Sequence, residues 1–223
     1  MKRCDDSFID GVKCTSEVIR SILPQGNKYL IACLGNPRIT PDAIGPQCAQ
    51  QIMVTRHLKA YMPDTFSAFA EVSLVCPGVL GTTGIESASL VKGAVDAVRP
   101  NAVIAVDALA ACNMDRLCNT VQISNTGIEP GSGVGNRRYA LNQETLGVPV
   151  ISIGVPTVVD VSTLLYNEEG QGDSDTHKRS DQMMVTPREI DTYVSDSAKL
   201  IAYGINFALH QELTLEDVDL FIS

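Results

Sequence analysis

A chain of 223 residues with 44% hydrophobic and 19% charged residues can bury one sizeable core and is too apolar to be disordered. Its net charge of −9, with Lys and Arg clustered nowhere, excludes non-specific nucleic-acid binding and disfavours an anionic membrane surface. No run of about 18 apolar residues exists to span a bilayer, and the start MKRCDDSFIDGVKC lacks the apolar stretch of a signal peptide, so a cytoplasmic protein is expected.

In chain order, residues 1–27 read as a polar N-terminal segment closed by Pro24-Gln25-Gly26-Asn27. Lys28 to Leu34 is then a continuous apolar run stopping at Gly35, the pattern of a buried strand feeding a loop. That loop, Gly35 to Pro46, is rich in Gly and Pro, and a helix is predicted from about Gln47 to His57. A second strand is expected near Glu71 to Cys76. A helix follows from Ile85 to Val98, ended by Arg99-Pro100. Asn101 to Val106 is the clearest buried strand, with Asp107 at its carboxyl end, and Thr120 to Ser124 and Val148 to Ile153 give two more. The polar stretch Asn167 to Asp181 reads as a mobile surface loop open to early proteolytic nicking. Thr186-Pro187-Arg188-Glu189 reads as a capping box, with Thr186 as cap, opening a long amphipathic helix that reaches Leu209, and residues 212–223 read as a tail.

Strands and helices thus alternate, which favours crossover connections: a three-layer αβα fold on a mostly parallel central sheet, in a single domain over residues 28–211. A core of Val, Ile, Leu and Ala, with few aromatics and no Trp, suits a sheet buried under helices. Seven cysteines at irregular spacing, without a CxxC pair or a Cys/His cluster, read mostly as reduced core residues.

In sheets of this kind, ligands bind beyond the carboxyl ends of the strands. Two aspartates fall there. Asp42 lies in Thr40-Pro41-Asp42-Ala43-Ile44-Gly45-Pro46 after the first strand, and Asp107 opens Asp107-Ala108-Leu109-Ala110-Ala111 after the central one. Either alone reads as a cap or turn former, but on neighbouring strands the two carboxylates would converge. Held close, they cannot both ionise cheaply, so they share a proton and supply one acid and one base for hydrolysis by an activated water. The same oxygens could equally hold a divalent metal, although no metal or cofactor motif is present and none is assigned. Pro130-Gly131-Ser132-Gly133-Val134-Gly135-Asn136-Arg137-Arg138 has no GxGxxG spacing and no Gly-Lys-Ser or Gly-Lys-Thr ending, so a nucleotide cradle is disfavoured. Gly131, Ser132 and Gly133 are instead candidates for a turn against a substrate carbonyl, with a plain structural turn as the simpler reading. Ser132 as a nucleophile would need a histidine. Of His57, His177 and His210, the last two read as solvated and the first as facing a helix surface.

Thr40 to Pro46, Met53 to His57, Pro77 to Glu86, Val106 to Ala111, Gly127 to Arg138, Glu144 to Asp160 and Met184 to Asp191 resemble, in order, segments of the spore germination proteases of endospore-forming bacteria. The likeness runs from Lys28 to about His210. It implies an atypical aspartic endopeptidase with a fold similar to the hydrogenase maturation proteases, assembled as a homotetramer in the forespore or spore core. It also implies a substrate, the small acid-soluble proteins that coat spore DNA, and places the two catalytic aspartates on Asp42 and Asp107. Relatives carry a longer N-terminal region with a removable inhibitory segment, whereas the first strand here is expected near Lys28. Relatives also place Arg, Asp and His where this chain has Cys112, Asn125 and Glu129. A catalytically weak or silent relative that binds spore proteins as an oligomer, and a metal-assisted maturation protease, are the competing readings.

Overall fold

The computed structural model describes residues 6–131, 139–161, 183–210 and 213–222. The apolar runs assemble into one sheet. Numbered in chain order, its strands are β1 (Lys28–Cys33), β2 (Glu71–Val75), β3 (Ala102–Ala111), β4 (Gln122–Ser124), β5 (Val150–Asp160) and β6 (Met184–Val185). β2, β1, β3 and β5 lie side by side in that order and run parallel, while β4 and β6 pair antiparallel with β5. The chain therefore steps from β1 to one side to form β2 and returns to the other side to form β3. The strand order reverses at the carboxyl ends of β1 and β3, which is where such sheets leave a crevice.

Both faces of the sheet are covered, because the buried stretches of its central strands are apolar at successive positions rather than at alternate ones. Tyr29, Ile31 and Cys33 of β1, with Ile104 and Val106 of β3 and Ile151 and Ile153 of β5, face helices α1 (Asp6–Ile22), α2 (Ile44–Ala49) and α7 (Ile190–Leu209). The intervening residues Leu30, Ala32, Val103 and Ala105 pack on Val91 and Val95 of α5 (Ser87–Val98) and Leu146 of α6 (Gln143–Leu146). These are the three layers expected. The short helices α3 (Arg56–Tyr61) and α4 (Leu80–Thr83) lie in the connections to and from β2.

Several elements depart from the sequence expectation. The segment before Lys28 contains α1, whose stripe of Val12, Thr15, Ser16 and Ile19 is buried against α7. Two polar members of that stripe hid its periodicity. The close approach of the helices runs through glycine: a Cβ at Gly204 would come 2.5 Å from Thr15 Cγ2, and one at Gly11 2.9 Å from Leu200 Cδ1. The predicted helix from Gln47 to His57 is two helices, α2 and α3, with a break between them. The break is stabilised from α7, where the buried Asn206 donates through Nδ2 to the Gln51 carbonyl (2.8 Å) and accepts at Oδ1 from the Met53 N–H (3.0 Å). Those backbone groups are thereby satisfied without continuing the helix.

Thr186 does not cap α7. Its hydroxyl donates instead to the Thr157 carbonyl (2.8 Å), and the helix begins at Ile190 with no side-chain cap. Residues 215–222 form α8, with Val218 fully buried against a cluster that includes Val12, Met53 and Tyr203. His210, expected in solvent, is buried. The loop expected at Asn167 to Asp181 lies outside the described residues, as does His177.

Candidate active site

β1 ends its pairing with β3 at Cys33 opposite Val106, and the Leu34 N–H still donates to the Val106 carbonyl (2.8 Å). One residue further, β3 no longer has β1 beside it but continues its ladder with β5, with Asp107 opposite Gly154. Asp107 is therefore not beyond the strand, as the apolar run suggested, but inside it, at the edge of the crevice. It is 4% exposed, and its Oδ1 accepts from the Ala108 N–H (2.9 Å).

Asp42 arrives from the other wall. After Gly35 the chain folds into a 3-10 turn, Thr40–Asp42, in which the Asp42 N–H donates to the Ile39 carbonyl (2.8 Å) and the Asn36 N–H donates to the Asp42 carbonyl (2.9 Å). Gly35 has φ +112°, and a Cβ there would lie 2.1 Å from the Asp42 carbonyl oxygen and 3.2 Å from its Oδ1. Only glycine lets the loop close so tightly. Gly45 plays a similar part for α2, since a Cβ would meet the Leu34 carbonyl oxygen at 2.1 Å. The Gly and Pro residues of Gly35 to Pro46 are thus a device for folding a carboxylate back over the end of β1.

The two carboxyls share a cleft of about 700 Å³, walled by Leu34, Ile39 and Pro41 on one side, Gly78 to Gly81 on another, and Leu109, Ala110 and Val158 along the strand ends. The electrostatics of the pair are unequal. Burial, and then the charge of Asp42, push the Asp107 carboxyl from its usual 3.8 up to about 7, against the opposing pull of the Ala108 N–H. Burial also raises Asp42, opposed by the Asn36 backbone N–H. The deeper group holds its proton while the shallower one ionises, so Asp107 feels the charge of Asp42 and Asp42 meets a neutral neighbour. Among the described residues, no group of three or more His, Cys, Asp or Glu side chains is placed to hold a metal ion.

Of the Gly-rich candidates, Gly131 lines the cleft with Ile128, Glu129 and Pro130, while Ser132 and Gly133 lie outside the described residues. Cys112 is exposed past the end of β3 and is not part of the cleft wall, and His57 is exposed on α3. The residue that sequence reasoning missed is Thr157. It is 1% exposed, it lines the cleft, and its hydroxyl donates to the Pro41 carbonyl (2.7 Å). A lone Thr in an apolar strand gave no signal of this.

The molecule so described is an α/β protein with two carboxyls lining one cleft at the switch point of a mostly parallel sheet. A family described as germination protease matches residues 15–168 and 178–222, and the chain belongs to that family of peptidases. The germination protease of Clostridium perfringens is 40% identical over 232 residues, covering 90% of this chain and 71% of that protein. That of Caldanaerobacter subterraneus is 43% identical over 228 residues, covering 88% and 70%, and that of Bacillus pumilus 36% identical over 250 residues, covering 85% and 67%. Among solved structures, a NiFe hydrogenase maturation protease, HycI from Thermococcus kodakarensis, aligns over 84% of this chain and 98% of its own at 18% identity and a TM-score of 0.46. No helix among the described residues is long and apolar enough to cross a membrane.

Proposed function

We propose that this chain is an endopeptidase that begins the degradation of small acid-soluble spore proteins, with Asp42 and Asp107 activating water. The observation that carries the reading is a buried carboxyl, Asp107, whose ionisation is opposed by a second carboxyl across one cleft. Membership of the germination protease family supports the peptidase activity and its setting.

Asp42, the more exposed partner, is the base. It takes a proton from a water molecule as the water oxygen bonds to the scissile carbonyl carbon. Asp107, protonated near neutral pH, donates to the carbonyl oxygen, so the tetrahedral intermediate carries no net charge on that atom. When the C–N bond breaks, the proton held by Asp42 passes to the departing amine and the intermediate's hydroxyl returns its proton to Asp107. Both carboxyls are then as they began. The walls of the cleft are largely apolar, which keeps bulk water from screening the pair.

The test is cleavage of a purified small acid-soluble spore protein by the wild type and by Asp42→Asn and Asp107→Asn. Each variant should lose cleavage by 10³-fold or more, in the ~10²–10⁴-fold range of acid–base groups, while keeping the native circular dichroism spectrum. Near-wild-type cleavage by either would sink the assignment. Binding of the spore protein by wild type without any cleavage would favour a silent binding protein instead.

A further inference from the structure

We propose that Thr157 is a positioning residue for this reaction: it ties the turn that carries Asp42 to the strand ladder that carries Asp107, and so fixes how the two carboxyls face each other. The inference rests on the proposed aspartate pair. It assigns no chemistry to Thr157 itself, whose hydroxyl is occupied by the chain.

The connection is short and covalently or hydrogen-bonded throughout. Asp107 in β3 stands opposite Gly154 in β5, and Thr157 follows three residues later on the same strand. Its Oγ1 donates to the carbonyl of Pro41, the residue that precedes Asp42. Thr157 is free to do this because the ladder slips there: Leu109 pairs with Pro156 and Ala110 with Val158, so Thr157 is the extra residue of a β-bulge. Bulges of this kind recur beside active sites, where they re-aim one side chain without disturbing the rest of the strand. The Thr157 carbonyl, in turn, accepts from the Thr186 hydroxyl (2.8 Å). Thr186 immediately follows β6, which pairs at Val185 with Val159. Two threonine hydroxyls thus relay the position of the β5–β6 edge to the Asp42 turn.

The turn has other supports within its own loop, such as the bonds from Asn36 and Asp42 backbone N–H groups. Those set its internal shape. The bond from Thr157 crosses from another strand, 116 residues away in sequence, and sets where the turn sits relative to Asp107. A misplacement of about 1 Å between reacting groups can cost roughly 10²-fold in rate, so a single fixed bond at this point is worth having.

Thr157→Val removes the donor and keeps the shape, while Thr157→Ser keeps the donor. With a purified small acid-soluble spore protein as substrate, Thr157→Val should lower kcat about 10- to 100-fold with KM within about threefold of wild type. It should also shift a limb of the pH–rate profile, and Thr157→Ser should restore both. A residue that only filled the core would lower stability without moving the profile. The titration of the two carboxyls, followed by 13C NMR on carboxyl-labelled aspartate, reads the same geometry without turnover and should differ between Thr157→Val and Thr157→Ser. Should Thr157→Val fail to fold, Thr186→Val removes the preceding hydroxyl of the relay and should show a smaller shift in the same direction. Wild-type kcat, pH limbs and aspartate titration in a folded Thr157→Val, or in Thr186→Val when Thr157→Val does not fold, would overturn the proposal. Asp107→Asn run alongside separates the two ideas. Cleavage that survives Asp107→Asn defeats the aspartate pair itself, whereas its loss there with no effect at Thr157 defeats only the positioning role.

Discussion

Asp107 stands where a neutral side chain would be cheaper for folding. A carboxyl bound to its proton more tightly in the folded protein, at about 7, than in the unfolded chain, at about 3.8, gives a folded state that carries more protons across that window. Stability from this group is therefore greatest at low pH, falls as pH rises from about 4 to 7, and stays low above. Asn is neutral throughout, and its Oδ1 can still accept from the Ala108 N–H. Three pH units correspond to at most about 4 kcal/mol. Asp107→Asn should thus be inactive yet more stable than wild type at pH 8, with the gain gone at pH 4; chemical denaturation at both pH values reads it out. Such a gain is the usual sign of a residue kept for activity at the expense of stability. The same titration sets the rate: kcat/KM for cleavage should decline as pH rises through about 7, where Asp107 loses the proton it must donate. A rate that climbs steadily to pH 9 would contradict the assignment of Asp107 as the acid.

Helix α7 holds a second buried ionisable group at its end. His210 is 4% exposed, its ring lies 5.3 Å from that of Phe69, and neither ring nitrogen has a hydrogen-bond partner among the described residues. Burial, with Lys59 adding to it, lowers its proton affinity from 6.5 to about 4. Lys59 is held nearby by its own bonds to the Ser67 carbonyl (3.1 Å) and the Phe69 carbonyl (2.5 Å). For a base with a depressed folded value, the unfolded chain takes up the proton first, so stability is full above about 6.5 and is lost as pH falls toward 4. The loss is about 3 kcal/mol at its limit. His210→Phe should remove this dependence, leaving a variant whose denaturation midpoint falls less than wild type between pH 7 and pH 4.5. Equal falls in the two proteins would mean that the folded state reaches and pairs the imidazolium. Between the helices, Asn206 does the opposite kind of work: it is polar, buried and bonded through both Nδ2 and Oδ1, and it explains why the stretch expected as one helix breaks into α2 and α3.

On the scale of the whole molecule, the two-sided sheet accounts for the composition. Successive apolar residues from Tyr29 to Cys33 of β1 and from Ala102 to Val106 of β3 leave no face of those stretches for solvent, and helices must cover both. Large apolar side chains still reach the surface, among them Tyr61, Tyr139 and Leu220, at 83%, 70% and 81% exposure. The homotetramer implied by the family resemblance is accordingly a proposal with a direct test. Sedimentation equilibrium of the purified chain should give four times the 23.9 kDa of one subunit, and a monomer at micromolar concentration would contradict it.

Read from the sequence alone, five of the six strands among the described residues were legible, as were the alternation that makes the sheet mostly parallel and the two aspartates that line the cleft. Each of these is encoded locally: an apolar run, a Gly-Pro loop, a carboxylate where an apolar run ends. It did not reveal α1, whose buried stripe uses Thr15 and Ser16, because a hydroxyl that bonds its own helix can be buried without looking apolar. It also placed Asp107 after its strand, since nothing in Asn101 to Val106 tells how far β5 will carry the ladder. Tertiary packing alone makes β1 and β3 neighbours, sets the crevice between their ends and brings Thr157 to Pro41. Those facts depend on strand order and on one slip of register between segments far apart in sequence. Local propensity is silent on both, because the free energy that selects them comes from packing the two helix layers on the finished sheet.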